Sequence, residues 1–455
     1  MNRLAASAAP ALRTAGAGVL LSGLAVFVLA VGYLVPDRPY FALLAAGAVF
    51  LFGLTLADSA IIPLLLVVPM LSTYRIAAGG TDLSLSDAAM FAAFFPAVIF
   101  AQRPYTPALR SLLWITGVYQ ACTLFTVIAN PYRANYIEWV HAGLLTGGAL
   151  IVGWSIGREG HARLAMTLIM VAVTGLAVSV IVQGLFQYAQ GNFVGVYPRF
   201  PYDMHKNAAG CLIAFAAAAA YVRPDWLHWP RWFAYICFWT LIAGLGMTQS
   251  RQAMVGLALA LILIVLRTNN AGRERRSKVI LLGVAAGVGL VLVAVRNQIA
   301  SDNQFNSYFQ RINWFQESMD LWRSDPLFGV GLRWWYTDRF DVAFQPPNGA
   351  MEVLSSAGLV GLAGFCFLTV ASVVVLWRVD RSFGLLALTV VLSRYIQGEL
   401  DLFWVAVQTS APFLITGICL GAQGRQLAEH EQLGWADDQA PRTDQPSPEA
   451  QKTSA

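Results

Sequence analysis

The chain has 455 residues, 57% of them hydrophobic and only 12% charged. A soluble domain carries roughly a quarter charged residues, so this composition excludes an ordinary globular enzyme and also a disordered chain. The net charge of +5 resembles a nucleic-acid footprint until the arginines are located.

Apolar runs predict helices at 17–35, 40–57, 60–73, 85–101, 110–128, 136–156, 163–187, 207–222, 231–248, 251–266, 279–296, 350–377, 382–397 and 403–422. The 60–73 run is short for a span and neighbouring boundaries can merge. The expectation is an all-α polytopic membrane protein with about 12–14 transmembrane helices, at ~20 residues per span. A bilayer leaves backbone groups no water, which favours helices, and the runs lack the alternation of a strand barrel. Alternating from a cytoplasmic N-terminus puts Arg103–Arg110, Arg158–Arg163, Arg223–Arg231, Arg267–Lys278 and Arg378–Arg381 inside, as the positive-inside rule asks. Part of the positive charge is therefore a topology signal rather than a nucleic-acid signal.

The first run follows Arg3 and Arg13 without an evident small-residue cleavage site, so it reads as a retained anchor. Helices of an N-terminal unit occupy 1–190 and a second transmembrane unit 191–422. The polar tail 423–455 reads as disordered and cytoplasmic, like the N-terminus. Cys122, Cys211, Cys237, Cys366 and Cys419 all fall within apolar runs and read as small core residues. No P-loop motif points to nucleotide hydrolysis.

Two segments predicted to face outward carry the chemistry. The first, 188–206, contains YPRFPYDMHKN; the second, 297–349, holds Arg311, Arg323, Arg333 and Arg339 but no lysine. Guanidinium forks suit phosphate, and the interleaved tryptophans and tyrosines suit sugar rings or the headgroup interface. Tyr308, Ile312, Phe315, Met319 and Trp322 follow a 4-3-4-3 spacing that predicts an interfacial helix near 307–323, compatible with a phosphate-binding Arg311. The turn Thr248-Gln249-Ser250-Arg251 sets Arg251 at the outer interface, where a charge takes a partner or ligand or snorkels to the surface. His205, a lone histidine in an outer loop, reads more often as a local hydrogen-bonding residue than as a base. Arg394, Gln397, Glu399 and Asp401 form a late polar set, and Glu138 and His141 share a helix face as a buried structural pair.

Four segments in order resemble the bacterial O-antigen ligase and polymerase superfamily: DMHKNAAG, MTQSRQAMVGLALALILIVL, QRINWFQESMDLWRSDPLFGVGLRWW and PPNGAMEVLSSAGLVGLAGF. The resemblance implies a helical fold of the second glycosyltransferase-C type with short helices in a large extracytoplasmic loop. It implies transfer of a glycan from a polyprenyl pyrophosphate donor to an acceptor hydroxyl, with inversion, outside the bacterial cytoplasmic membrane. No metal, nucleotide sugar or other cofactor is expected. Membrane lipids, the donor, a glycan or glycolipid acceptor and polysaccharide export or chain-length proteins are the implied partners.

By motif position the catalytic arginines are Arg251 and Arg311. His205, Lys206, Asn207, Arg199, Arg323, Asn348, Glu352 and Trp314 are the expected substrate-binding residues. One position departs from the family: its ligases carry a histidine where this chain has Pro347, followed by Asn348. That leaves a polymerase, a different base (His205, Asp341 or Glu352), or an inactive transferase. The rival readings are a secondary transporter and a non-catalytic membrane protein of polysaccharide assembly. A metal-dependent relative is disfavoured, since Asp37 stands alone in the first outer loop.

Overall fold

A computed structural model describes residues 47, 50–51, 53–78, 81–267, 280–300, 307–337, 339–340 and 344–439. In chain order from residue 61, the helices among the described residues are α1 (Ile61–Leu65), α2 (Leu85–Phe100), α3 (Pro107–Ala129), α4 (Arg133–Gly143), α5 (Ala149–Arg158), α6 (Ala162–Ala189), α7 (Lys206–Val222), α8 (Arg231–Thr248), α9 (Arg251–Arg267), α10 (Ile280–Ala300), α11 (Ser307–Ser324), α12 (Gly349–Arg378), α13 (Arg381–Glu399) and α14 (Ala406–Gln439). Four helical stretches are long and apolar enough to cross a membrane: Pro107–Ala129, Arg133–Arg158, Ala162–Ala189 and Gly349–Arg378. Leu85–Phe100 and Lys206–Val222 are shorter apolar helices. The fold is that of an all-α polytopic membrane protein, with one short antiparallel hairpin between β1 (Arg75–Ala78) and β2 (Thr81–Ser84).

The apolar runs from 85 to 397 reappear as helices with ends shifted by a few residues. Three expectations change or fall outside. The 60–73 run is no single helix: α1 ends at Leu65 and a 3-10 turn follows at Pro69–Leu71, because Pro69 has no N–H to continue a helix. The 17–35 run and the basic 268–279 loop lie outside the described residues. The tail does not become irregular at 423, since α14 continues to Gln439. Residues 423–439 contain no proline and are rich in Gln, Ala, Leu and Glu, which favour helix; residues 440–455 lie outside the described ones.

A π-helical turn at Leu144–Gly148 joins α4 to α5. The tightest packing is between α5 and α14. Gly153 and Gly157 face Gly417 and Gly421, so each helix carries a G-x-x-x-G pair, and backbone meets backbone. The two ends of the bundle differ. At one end Trp154 Nε1 donates to Gln102 O (3.0 Å), Trp226 Nε1 to Ser382 O (2.9 Å) and Arg267 to the Val379 carbonyl (3.2 Å). The loops preceding α2, α7, α12 and α14 meet at the other end, around a cavity.

Candidate active site

The long loop is fixed to the bundle through backbone bonds. Gly358 inside α12 has φ 64° and ψ −163°, so the helix is broken there. The break frees two carbonyls and two N–H groups in an apolar setting, where unpaired backbone groups are costly. Segment 326–331, the P-L-F-G-V-G of the sequence, supplies the partners. Val330 N–H donates to Ser355 O (3.1 Å) and Gly331 N–H to Ser356 O (2.9 Å). Leu359 N–H donates to Pro326 O (2.9 Å) and Val360 N–H to Leu327 O (3.2 Å). The approach is so close that a Cβ on Gly329 would lie 2.3 Å from the Ser356 carbonyl carbon. Asn130 Nδ2 donates to Gly329 O (3.0 Å) and Asn135 Oδ1 accepts from Leu332 N–H (2.8 Å).

This docking delivers Arg333 to a cavity of about 810 Å³. Its walls include Tyr74, Arg75, Asp87, Glu138, His141, Arg199, Tyr202, His205, Arg333, Trp335, Tyr336, Asp401 and Trp404. A continuous polar chain crosses one wall. Asp87 closes a capping box with Ser84 at the start of α2 and accepts from His141 Nε2 (2.9 Å). His141 Nδ1 meets Glu138 Oε2 (3.2 Å), and Glu138 also takes an ion pair from Arg333 Nε. Burial opposes the Arg333 charge, but the Glu138 carboxylate outweighs it and raises the guanidinium above its usual range. Arg333 also lies 5.3 Å from the Tyr336 ring centre.

The cavity is also lined by Asp401, in the short connection between α13 and α14. One of its oxygens accepts from Asn207 Nδ2 (2.8 Å) and Gln252 Nε2 (3.0 Å), which ties together the starts of α7 and α9. The connection itself is clamped from below. Fully buried Arg394 donates to Leu402 O (2.8 Å), to Phe403 O and to Gln408 Oε1 (3.1 Å). Buried Glu352 accepts from Phe403 N–H (3.3 Å) and Gln345 Nε2 (2.7 Å).

His205 caps α7: its Nδ1 accepts from Asn207 N–H (3.2 Å), so the neutral ring carries its hydrogen on Nε2. Burial lowers its pKa below the usual imidazole range, with Lys206 adding to that and Asp401 opposing it. Lys206, next in sequence, is pushed down by burial and by the Arg251 guanidinium beside it. Thr248, at the end of α8, accepts from Ser250 N–H (3.2 Å), and Gln249 adopts a left-handed φ of 51°. This tight turn sets Arg251 at the start of α9, within electrostatic reach of Lys206.

Arg199 and His205 line the cavity; Asn207 and Gln252 meet on Asp401 beside it, while Lys206 and Arg251, their chain neighbours, are not among the lining residues. Asn348 and Glu352 are engaged by other groups of the protein. Asn348 caps α12 through Met351 N–H (2.9 Å) and reaches Glu399 O (2.7 Å), while Glu352 is 1% exposed. Arg323 is exposed and pairs with Asp320 (2.6 Å). Trp314 stacks on Phe344 (5.7 Å), beside the small core of Leu321, Val330 and Trp334. Arg311 is exposed on α11 and is not among the residues that line the cavity. Of the candidate bases, Asp341 lies outside the described residues, and Glu352 has both oxygens engaged. Asp87 is not among the residues singled out in the sequence; Arg333 stands there only as one of four loop arginines and Asp401 only as part of the late polar set. The signal that could have found Asp87 is the S-L-S-D capping pattern opening an apolar helix.

No curated protein matches the chain. The family model described as O-antigen ligase matches residues 236–366, a stretch that runs from α8 through α9, the docked 326–331 segment and the first half of α12. Residues 236–366 thus carry the domain of the O-antigen ligase/polymerase superfamily, and with it a membrane glycan-assembly function of the ligase/polymerase type.

Proposed function

We propose that the protein is a glycan polymerase working at the extracytoplasmic face of the bacterial cytoplasmic membrane, in cell-surface or exopolysaccharide assembly. It transfers a glycan from a polyprenyl pyrophosphate to an acceptor sugar hydroxyl with inversion, and its transferase part is residues 191–422. Export or chain-length proteins are its proposed partners. A polymerase is preferred to a ligase because Pro347 stands where the family's ligases carry a histidine. The observation that carries the reading is that His205 and Asp401 line one cavity while Asn207 and Gln252, the chain neighbours of Lys206 and Arg251, both bond to Asp401.

In this reading the second oxygen of Asp401 takes the proton of the acceptor hydroxyl. The two amides on its first oxygen keep it oriented. The acceptor oxygen forms the new bond to the anomeric carbon as the bond to the pyrophosphate breaks. The departing polyprenyl pyrophosphate keeps the electron pair. Arg251 and Lys206 are fixed cations against that growing charge, and His205 Nε2–H donates to a phosphate oxygen. Arg311 enters by its motif position, as a further cation for the same group. Tyr202, Trp335 and Tyr336 offer ring faces to sugars.

The test is a glycan profile of a deletion strain complemented with Arg251→Ala, Lys206→Ala or Asp401→Asn. Loss of long-chain polymer at normal membrane protein level supports the polymerase. Intact polymer stranded on its lipid carrier would make it a ligase with a non-histidine base. Normal chain lengths in all three variants would sink the mechanism and leave a transporter or a non-catalytic assembly protein.

A further inference from the structure

The connection between α13 and α14 presents its side chains to two sides. Asp401, Leu402, Trp404 and Val405 line the large cavity, whereas Phe403 among them is fully buried. Phe403 is held by both of its backbone groups. Its N–H donates to Glu352 (3.3 Å), and its carbonyl accepts from Arg394, from Val405 N–H (2.9 Å) and from Thr409 Oγ1 (2.6 Å). Its ring packs edge-on against Phe365 (4.9 Å) and lies nearly parallel to Tyr395 (5.7 Å). With that residue pinned, Asp401 and Trp404 keep a fixed separation, at most about 11 Å along three residues of chain.

Trp404 is half-buried, and its two sides differ. One side is backed by Tyr119, whose ring stacks on it at 5.3 Å and 10° and is itself 2% exposed. Tyr119 lines a small cavity of about 20 Å³ and not the large one, while Trp404 lines both. Trp404 therefore stands as a partition, filled from behind by an aromatic ring and turned on its other side to the large cavity. A ring held from behind has little rotamer freedom left to lose when a ligand arrives. An indole face suits the C–H side of a sugar ring.

We propose that Trp404 is the platform of the acceptor site, on which the terminal sugar of the acceptor glycan stacks while its hydroxyl meets Asp401. The proposal rests on the transferase reading above. It gives Trp404 to the acceptor rather than the donor because the two sets of contacts belong to different elements. One oxygen of Asp401 is tied to the starts of α7 and α9, whose cations take the pyrophosphate in that reading. Trp404 is tied instead to α3, through Tyr119. Base and platform thus share one clamped connection, and the donor's cations stand on other helices.

The test is steady-state kinetics of the full chain in nanodiscs. The donor is the lipid-linked glycan extracted from a deletion strain, and the acceptor is a short fragment of the wild-type polymer. Trp404→Leu keeps apolar bulk against Tyr119 but removes the flat ring. It should raise the acceptor KM about tenfold and leave the donor KM and kcat within about twofold. Trp404→Phe keeps a ring and should stay within about threefold on all three. If the leucine variant matches wild type or the phenylalanine variant, the ring has no role and the proposal falls. A rise in both KM values, or a fall in kcat at unchanged acceptor KM, overturns it too. In the wild-type chain the acceptor fragment, but not inorganic pyrophosphate, should protect Trp404 from N-bromosuccinimide oxidation, read by peptide mass spectrometry. Absence of protection overturns the proposal even where the leucine variant fails to fold. If Asp401→Asn keeps the wild-type rate, the transferase reading fails instead, whatever Trp404 does.

Discussion

Replacing Gly157 by alanine tests the closest helix contact in the bundle. The added Cβ would sit 2.4 Å from Ile418 O, about 1 Å inside ordinary contact, and the obstacle is backbone that cannot rotate away. The same holds for Gly153 against Leu414 O (2.2 Å), Gly417 against Leu150 O (2.3 Å) and Gly421 against Trp154 O (2.5 Å). Helices α5 and α14 must therefore part by about 1 Å, an overpacking cost of roughly 1–3 kcal/mol. Alanine's better helix propensity returns at most ~1 kcal/mol. The expected net loss is about 1–2 kcal/mol per site. Gly157→Ala combined with Gly421→Ala should cost less than the sum, because the first substitution already opens the gap for the second. Gly117→Ala and Gly175→Ala are the controls: a Cβ there meets nothing within 4 Å, so each should be neutral or slightly stabilising. The assay is the temperature at which detergent-solubilised protein loses its monodisperse elution peak. If Gly157→Ala and Gly421→Ala melt with the controls, the close backbone packing is wrong.

Asp401→Asn keeps an oxygen for Asn207 and Gln252 but removes the base, so chain extension on a lipid-linked substrate should slow about 10²–10⁴-fold at unchanged protein level; a rate within threefold of wild type excludes Asp401. His205 has a lowered folded pKa, so the unfolded chain takes up the proton first as pH falls below about 6.5. Its contribution is fully present above that pH and is lost on acidification. His205→Asn, which preserves a capping acceptor, should flatten the melting temperature between pH 7 and 5 relative to wild type, and parallel curves would refute the shift. Arg333→Met leaves Glu138 buried with one charge partner fewer and should cost about 3–5 kcal/mol. Adding Glu138→Gln should recover part of that in the same melting assay, and no recovery would mean the pair is not coupled. Gly358→Ala must place a Cβ 2.3 Å from Leu327 O at a φ of 64°, and should abolish both polymer formation and monodispersity; a stable, active variant would disprove the break.

The helices were legible because membrane burial writes a continuous local signal: the 163–187 run is α6 at Ala162–Ala189, and the 207–222 run is α7 at Lys206–Val222. The break in α12 was not legible, since V-L-S-S-A-G-L-V-G reads as one apolar run. Its cause is a segment some thirty residues earlier in the chain. The site was half legible. The T-Q-S-R turn and the H-K-N triplet could be read locally, because each is a short arrangement at a helix start, and the structure joins the two helix starts through Asn207 and Gln252 on Asp401. Four arginines in one loop could not be ranked by sequence, and the one that reaches the cavity is Arg333, carried there by the docked 326–331 segment. Glu138 and His141 were read as a closed pair. Their links to Asp87 and Arg333 join residues up to 246 positions apart, and no local pattern encodes such a chain. The paired G-x-x-x-G spacings stood in the sequence, but among 39 glycines such a spacing carries little weight by itself.

The stitched break in α12 also sets the seam for grafting. Although 326–331 looks like loop, it supplies hydrogen bonds that α12 lacks at Gly358, so in architectural terms it is a strand of that helix. A chimera that exchanges outer loops to alter glycan choice should therefore keep 326–331 and α12 from the same parent and cut within 337–346. A cut ahead of Pro326 that left a foreign partner against Ser355–Val360 would misassemble a membrane helix, and the failure would masquerade as a change in specificity.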